Sequence, residues 1–412
     1  MKQLERRHRG LMTAGGCLLL SGQLLMAAPD DQTPRTVTLD EAVASADRAP
    51  ELAAAQAGEQ AAEAGVHVAR AFPDPELTFQ TNSINAQQAV SVLMPLPWPA
   101  RGPRIEAATA DLQTAGRARD VALSSVRQAL RAAWFGLAAA EDRARAAADR
   151  EARAGRNAAA ISALLAEGRV ARLEEVRANA EVALAQSDHA TFDEALRTAG
   201  ARLATLMGLE SGTAITTGGS RPLPESIGTL EETVAQAREA SPDVRLQVAA
   251  ADAAAARYAL ARRLRVPGFG LNAGAEFNDP TQEGTNTFVG VSLVIPLAGP
   301  ANAAAAALGQ RDQQAALADL GRREAVLTAE TAWGKARAAR LRYEAMDGQV
   351  LPAARQTAEM TRVAFEEGKV DVFRLLEAER LLADAAVERA DAYEAWGAAN
   401  ADLLRATARE GP

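Results

Sequence analysis

The chain has 412 residues, a formal net charge of -8 and only 4% aromatic residues. That charge offers no general basic surface for a phosphate backbone, which argues against nucleic acid as a partner. The Ala-, Arg-, Glu- and Leu-rich composition suits long helices better than a thick globular core.

The N-terminus reads as a secretory signal over residues 1–28. Lys2, Arg6, Arg7, His8 and Arg9 precede an apolar run at 11–26 that ends in Ala27 and Ala28, with cleavage expected near one of these two. Cys17 is the single cysteine, and Ala14-Gly15-Gly16-Cys17 can also be read as a degenerate lipid-attachment signal. The apolar run continues past Cys17 to Met26, which favours the first reading. A mature chain without a thiol would hold neither a disulfide nor a thiolate metal site. No later segment has the roughly 20 consecutive apolar residues of a transmembrane helix, so an exported chain is either soluble in the periplasm or spans the outer membrane as strands.

An opening helix is expected over 39–71, interrupted by Pro50. Two strands follow at 76–82 and 89–94. Leu77 and Phe79 oppose Glu76, Thr78 and Gln80 in the first, and Val90, Val92 and Met94 share one face of the second. Residues 105–166 lack proline and carry apolar residues at spacings of three and four, which predicts a helix about 90 Å long. The turn Glu167-Gly168-Arg169-Val170 leads into a helix over 172–207, closed by Gly208. Residues 210–228, rich in Gly, Ser, Thr and Pro, read as a linker.

The plan then repeats after about 200 residues, too long a period for a solenoid, so each copy is a whole helix-and-strand module. Thr38-Leu39-Asp40-Glu41 returns as Thr229-Leu230-Glu231-Glu232, and Met94-Pro95-Leu96 as Ile295-Pro296-Leu297. The copies are expected at 36–209 and 229–409. The second holds a helix over 230–265 interrupted by Pro242, strands at 268–278 and 286–295, and a helix over 301–366 that Pro352 should kink or break. The turn Glu367-Gly368-Lys369-Val370 and a helix over 372–409 complete it. In the third strand Phe269, Leu271, Ala273, Ala275 and Phe277 fall on one face; Gly270, Asn272, Gly274 and Glu276 fall on the other. The fourth puts Val289, Val291, Leu293 and Ile295 opposite Gly290 and Ser292, with Phe288 and Val294 out of pattern.

The expected fold class is mainly α with a membrane β-barrel portion. Four strands cannot close a barrel, and an open edge in lipid would leave backbone groups unpaired. Three copies would give about twelve strands and two copies about eight; the narrower barrel would be filled by side chains, so a homotrimer suits a conduit better. Inside it, Glu76, Asn272 and Glu276 would face water, and the two carboxylates would favour cations. Catalysis has little to stand on: His67 and His189 lie on different helices without ligand-spaced neighbours, and no phosphate loop, zinc motif or nucleophile elbow is present. No cofactor or metal site is expected.

The duplicated plan, the Phe72-Pro73-Asp74-Pro75-Glu76-Leu77 lead into the first strand, the Arg101-Gly102-Pro103-Arg104-Ile105-Glu106-Ala107-Ala108 start of the long helix and the two Glu-Gly-Arg/Lys-Val turns resemble TolC-like outer-membrane efflux factors. Within them the chain is most similar to the heavy-metal (CzcC-like) branch. The resemblance implies a passive trimeric duct in the outer membrane of a Gram-negative bacterium, with helices extending into the periplasm. Its partners would be a membrane-fusion adaptor and an inner-membrane pump of the RND type, and its cargo metal cations or small toxic compounds. It also implies that the turns Gly168-Arg169-Val170 and Gly368-Lys369-Val370 touch the adaptor. Paired acidic positions at the family's periplasmic aperture fall here on Arg374 and Glu377, with Glu174 and Arg177 at the matching places of the first copy. From this opposite order, Glu174 is expected to face Arg374 and Arg177 to face Glu377. Type I protein secretion and a soluble periplasmic helical scaffold are the competing readings.

Overall fold

The computed structural model describes residues 34–82, 87–96, 98, 100–210, 212–224, 227–278, 284–297 and 299–409; the expected signal and Cys17 lie outside the described residues. Each half opens on a capped helix. In α1 (Leu39–Ala44) the Thr38 hydroxyl accepts from the Glu41 N–H at 3.2 Å, and in α5 (Leu230–Ala240) Thr229 and Glu232 form a reciprocal capping box. The repeated Thr-Leu-acid-Glu motif is thus a helix start. Pro50 and Pro242 begin fresh helices, α2 (Pro50–Arg70) and α6 (Pro242–Arg263), where a missing N–H costs nothing.

Strands β2 (Glu76–Asn82), β3 (Gln87–Leu96), β5 (Gly268–Phe277) and β6 (Asn286–Val294) form one antiparallel sheet in the order β2-β3-β5-β6. The β3–β5 ladder, running from Gln88↔Phe277 to Leu96↔Phe269, stitches the two halves together. β2 and β6 are its free edges. One face carries Leu77, Phe79, Val92, Leu271, Val289 and Val291 outward, with Val289 87% exposed. On the other, four of the five β5–β6 pairs include a glycine, among them Gly270↔Ser292, Asn272↔Gly290 and Gly274↔Phe288; Glu276↔Asn286 is the exception. A side chain at Gly274 would collide with the Phe288 ring, so the out-of-pattern phenylalanine covers a glycine on the neighbouring strand, as aromatic residues do at sheet glycines.

Helix α3 (Arg101–Ala166) runs unbroken for 66 residues, roughly 100 Å. It turns into α4 (Arg172–Leu206), and in the second half α7 (Gly299–Ala345) continues to α8 (Leu351–Glu366) and turns into α9 (Val372–Thr407). Pro352 does not break this path as expected. A π-turn at Met346–Val350 widens the helix just before it, letting the chain pass the proline whose ring would crowd a preceding carbonyl. Small residues let the helices approach closely: Ala138, Ala139 and Ala147 on α3 and Ala390 and Ala392 on α9 are all buried.

The main core lies midway along α3. Trp134, Phe135, Tyr393, Tyr343 and Trp396 form a chain of aromatic contacts with centroids 5.3 to 5.6 Å apart, a spacing that favours edge and tilted contacts. The segment read as a linker is built into this core. Its strand β4 (Ile215–Thr216) pairs in parallel with β1 (Arg35–Thr36), Thr217 is buried, and the Tyr393 hydroxyl donates to the Pro222 carbonyl at 2.8 Å.

Candidate functional site

The two hairpin turns are built alike. Gly168 and Gly368 take φ of +71° and +70°, a backbone only glycine adopts freely. Gly168 N–H donates to the Leu165 carbonyl and Arg169 N–H to that of Leu164; Gly368 and Lys369 repeat this on Phe365 and Ala364. These are Schellman closures of α3 and α8. They differ one step later: Asp371 caps α9 by accepting from the Arg374 N–H at 2.9 Å, whereas Ala171 gives α4 no side-chain cap. Although roughly 200 residues apart in sequence, the turns meet. Arg169, Val170, Lys369 and Val370 line one cleft of about 580 Å³, above a small core of Ile161, Ala178 and Val372.

The expected charge pairing across the tips is not what the protomer contains. Arg177 pairs with Glu174 at 3.2 Å and Arg374 with Glu377 at 3.5 Å, each within its own helix at a spacing of three. Residues three apart on a helix are already neighbours, so the local partner wins. Glu174 Oε2 has no hydrogen-bond partner within the protomer. Arg374 and Glu377 remain open, with side chains 68% and 58% exposed.

On the sheet, the register places Glu76, Leu93, Asn272 and Gly290 in one row, and Gln80, Ala89, Glu276 and Asn286 in another. Glu76 and Asn272 therefore share a level, while Glu276 stands nearer the end of the sheet away from the helices. Asn272 Oδ1 and Ser292 Oγ, on this polar face, lack partners within the protomer. None of the four strands contains a lysine or arginine.

Sequence reasoning missed a charged network beside the aromatic core. Arg221, from the segment between the repeats, reaches Asp142 at 2.8 Å and Glu141 at 3.1 Å on α3. Arg389 on α9 joins Asp142 at 3.2 Å to Asp347 of the π-turn at 2.6 Å. Burial pulls the Arg221 pKa down, but its bonds to Asp142 and Glu141 outweigh this and hold it above the ordinary arginine value. Arg389 behaves likewise, with Asp347 as its largest support. Four distant segments are thereby tied at one level of the helical body. Nothing in the spacing of these residues in sequence foretold it.

His189, expected to lack ligand-spaced neighbours, is bracketed by carboxylates, with Nδ1 2.6 Å from Glu151 and Nε2 3.6 Å from Asp193. Among the described residues, no group of three or more His, Cys, Asp or Glu has a metal-holding arrangement, and no helix is long and apolar enough to cross a membrane.

Comparison with known proteins agrees with this architecture. The outer membrane efflux protein family model matches residues 233–409. The cobalt-zinc-cadmium resistance protein CzcC of Cupriavidus metallidurans is 27% identical over 354 residues, covering 82% of this chain and 81% of that protein. Crystal structures of CusC superpose with a TM-score of 0.73 at 17% identity, covering 91% of this chain and 93% of theirs. The Campylobacter jejuni CmeC outer membrane channel gives 0.75 at 14% identity, with 97% and 94% covered.

Proposed function

We propose that this chain is an outer membrane efflux protein, as the family match over residues 233–409 supports, and that it works as a homotrimeric passive duct through the outer membrane of a Gram-negative bacterium, exporting metal cations or small toxic compounds. One observation carries the reading: a four-stranded sheet with an apolar outer face and two open edges sits at one end of helices roughly 100 Å long. An edge strand in hydrocarbon is tolerable only if it is paired, and a threefold axis joins β6 of each copy to β2 of the next. The polar face then lines the lumen, and Glu76 and Glu276, with no basic residue on any of the sheet's four strands, favour cations.

At the far end, the turns Gly168-Arg169-Val170 and Gly368-Lys369-Val370 form the docking tips for a periplasmic adaptor. An RND-type inner-membrane pump supplies the energy, and the duct itself catalyses nothing. Divalent metals are the cargo we favour, because CzcC is named for cobalt, zinc and cadmium resistance. The test has two arms. Purified protein in a planar bilayer should show a cation-selective conductance, and cells lacking the gene should lose resistance to zinc, cobalt or cadmium. Loss of a secreted protein with metal resistance intact would instead point to type I secretion.

A further inference from the structure

Positive charge around the sheet is confined to one end. The sequence contains no lysine or arginine from 71 to 100 or from 266 to 310, stretches that hold all four strands of the sheet. At the end where the chain passes into helices, Arg70, Arg101 and Arg104 stand beside the first two strands, and Arg262, Arg263 and Arg265 lead into β5. Among the described residues none of the six forms an ion pair with a carboxylate, and the Arg262 guanidinium lies 5.8 Å from the Tyr258 ring centroid.

Helix electrostatics accounts for only part of this collar. Arg70, Arg262 and Arg263 fall in last turns, where a cation suits the dipole. Arg101 and Arg104 occupy the first turn of α3, which has no acidic residue, and there the dipole disfavours them. Both are held by carbonyls at the end of α2: Arg104 donates to Ala69 and Ala71, and Arg101 to Arg70. The collar borders an exposed apolar and aromatic band that continues the outer face of the sheet. Trp98 is 77% and Phe72 61% exposed, and the Arg101 guanidinium lies 5.1 Å from the Phe72 ring centroid.

From this arrangement we propose that the collar binds the anionic headgroups of glycerophospholipids in the periplasmic leaflet, with Trp98 and Phe72 at the level of the acyl–headgroup boundary. The inference rests on the outer-membrane reading above. Charge complementarity selects the occupant: guanidiniums without a carboxylate partner, next to a lipid-facing apolar band, match a phosphate attached to an acyl chain. The bare far end gives no such match. Anchoring at one leaflet would also fix the depth of the barrel and the height at which the helices begin.

The experiment compares the intact trimer with R70Q/R262Q/R263Q/R265Q, leaving Arg101 and Arg104 to hold their carbonyls. Both proteins are reconstituted into nanodiscs of phosphatidylethanolamine alone and of phosphatidylethanolamine with one quarter phosphatidylglycerol, and the lipid retained on extraction is measured by native mass spectrometry. The wild type should enrich phosphatidylglycerol, the enrichment should shrink with added salt, and the variant should lose at least about tenfold of it. A matching set of lysine substitutions should keep most of it. Should the glutamine variant fail to assemble, the salt dependence of the wild type and the lysine set still decide. Equal retention of both lipids by a wild type that inserts normally overturns the proposal while leaving the duct intact, as does a variant that changes ion selectivity but not lipid retention. A wild type that enters neither bilayer overturns the outer-membrane reading as well.

Discussion

The ring of Phe135 on α3 fills the space in which a side chain at Gly397 on α9 would stand, and it packs edge-on to Tyr393 with centroids 5.3 Å apart. The glycine is there for packing, since it lies inside a helix that would otherwise favour alanine. Gly397→Ala should destabilise the protein by about 1–3 kcal/mol through overpacking. Phe135→Leu should relieve much of that loss in the double variant. A double-mutant cycle on thermal midpoints checks this, and strict additivity would refute the contact as the cause.

Arg221 carries the junction between the repeats. Replacing it with methionine leaves Glu141, 11% exposed, without its counter-charge, and Asp142 with only Arg389 and Arg145. A loss of about 3 kcal/mol is expected, because breaking a buried pair costs more than the pair contributes. Limited proteolysis near 210–228 should accelerate in parallel. Replacing an exposed pair member such as Arg197, 71% exposed, should change little.

Tyr393 predicts an alkaline weakness. Burial pushes its phenol well above the ordinary tyrosine value, with Arg221 acting the other way. The folded value therefore lies above the unfolded one of about 10. Its contribution is complete below that pH and drains away as pH rises towards the folded value. Tyr393→Phe loses the bond to Pro222, about 1 kcal/mol at neutral pH, but should lose less further stability than wild type between about pH 9 and 11.5. Thermal melts across that range, taken as a difference between the two proteins, measure it.

At the tips, Glu377→Lys would set a second cation beside Arg374, its present partner at 3.5 Å. If these exposed charges help hold the aperture, single-trimer conductance in a planar bilayer should rise. Identical conductance would assign both residues to solvent alone. Gly368→Ala tests the turn itself: with φ at +70° it should cost about 1 kcal/mol and loosen the tip without altering the charge pattern.

Features set by local chemistry were readable in the chain. The helix starts near Leu39 and Leu230 were legible, Gly168 and Gly368 marked the turns, and the alternation from Phe269 to Phe277 a two-faced strand. What stayed hidden depended on distant partners or on competition between nearby ones. Ile215 and Thr216 look like linker residues until β1 is beside them. Arg221 shows nothing until Asp142 arrives from α3. At the tips the residue types and spacing were visible, but the choice between a partner three residues away and one on another hairpin was not. Pro352 misled for a related reason: its cost was foreseeable, and the π-turn that absorbs it, with Gly348 in its middle, was not.

In the proposed trimer, the free margins of β2 and β6 would impose an order of events on assembly. There the helical body makes its contacts within one chain, whereas the edges of the sheet would be paired only when copies meet. A newly made protomer must therefore pass through a stage in which its helices are set while its sticky strands are unprotected, the condition under which wrong partners are captured. The yield of active ducts should then be governed by how quickly protomers find one another, rather than by how stable each is alone.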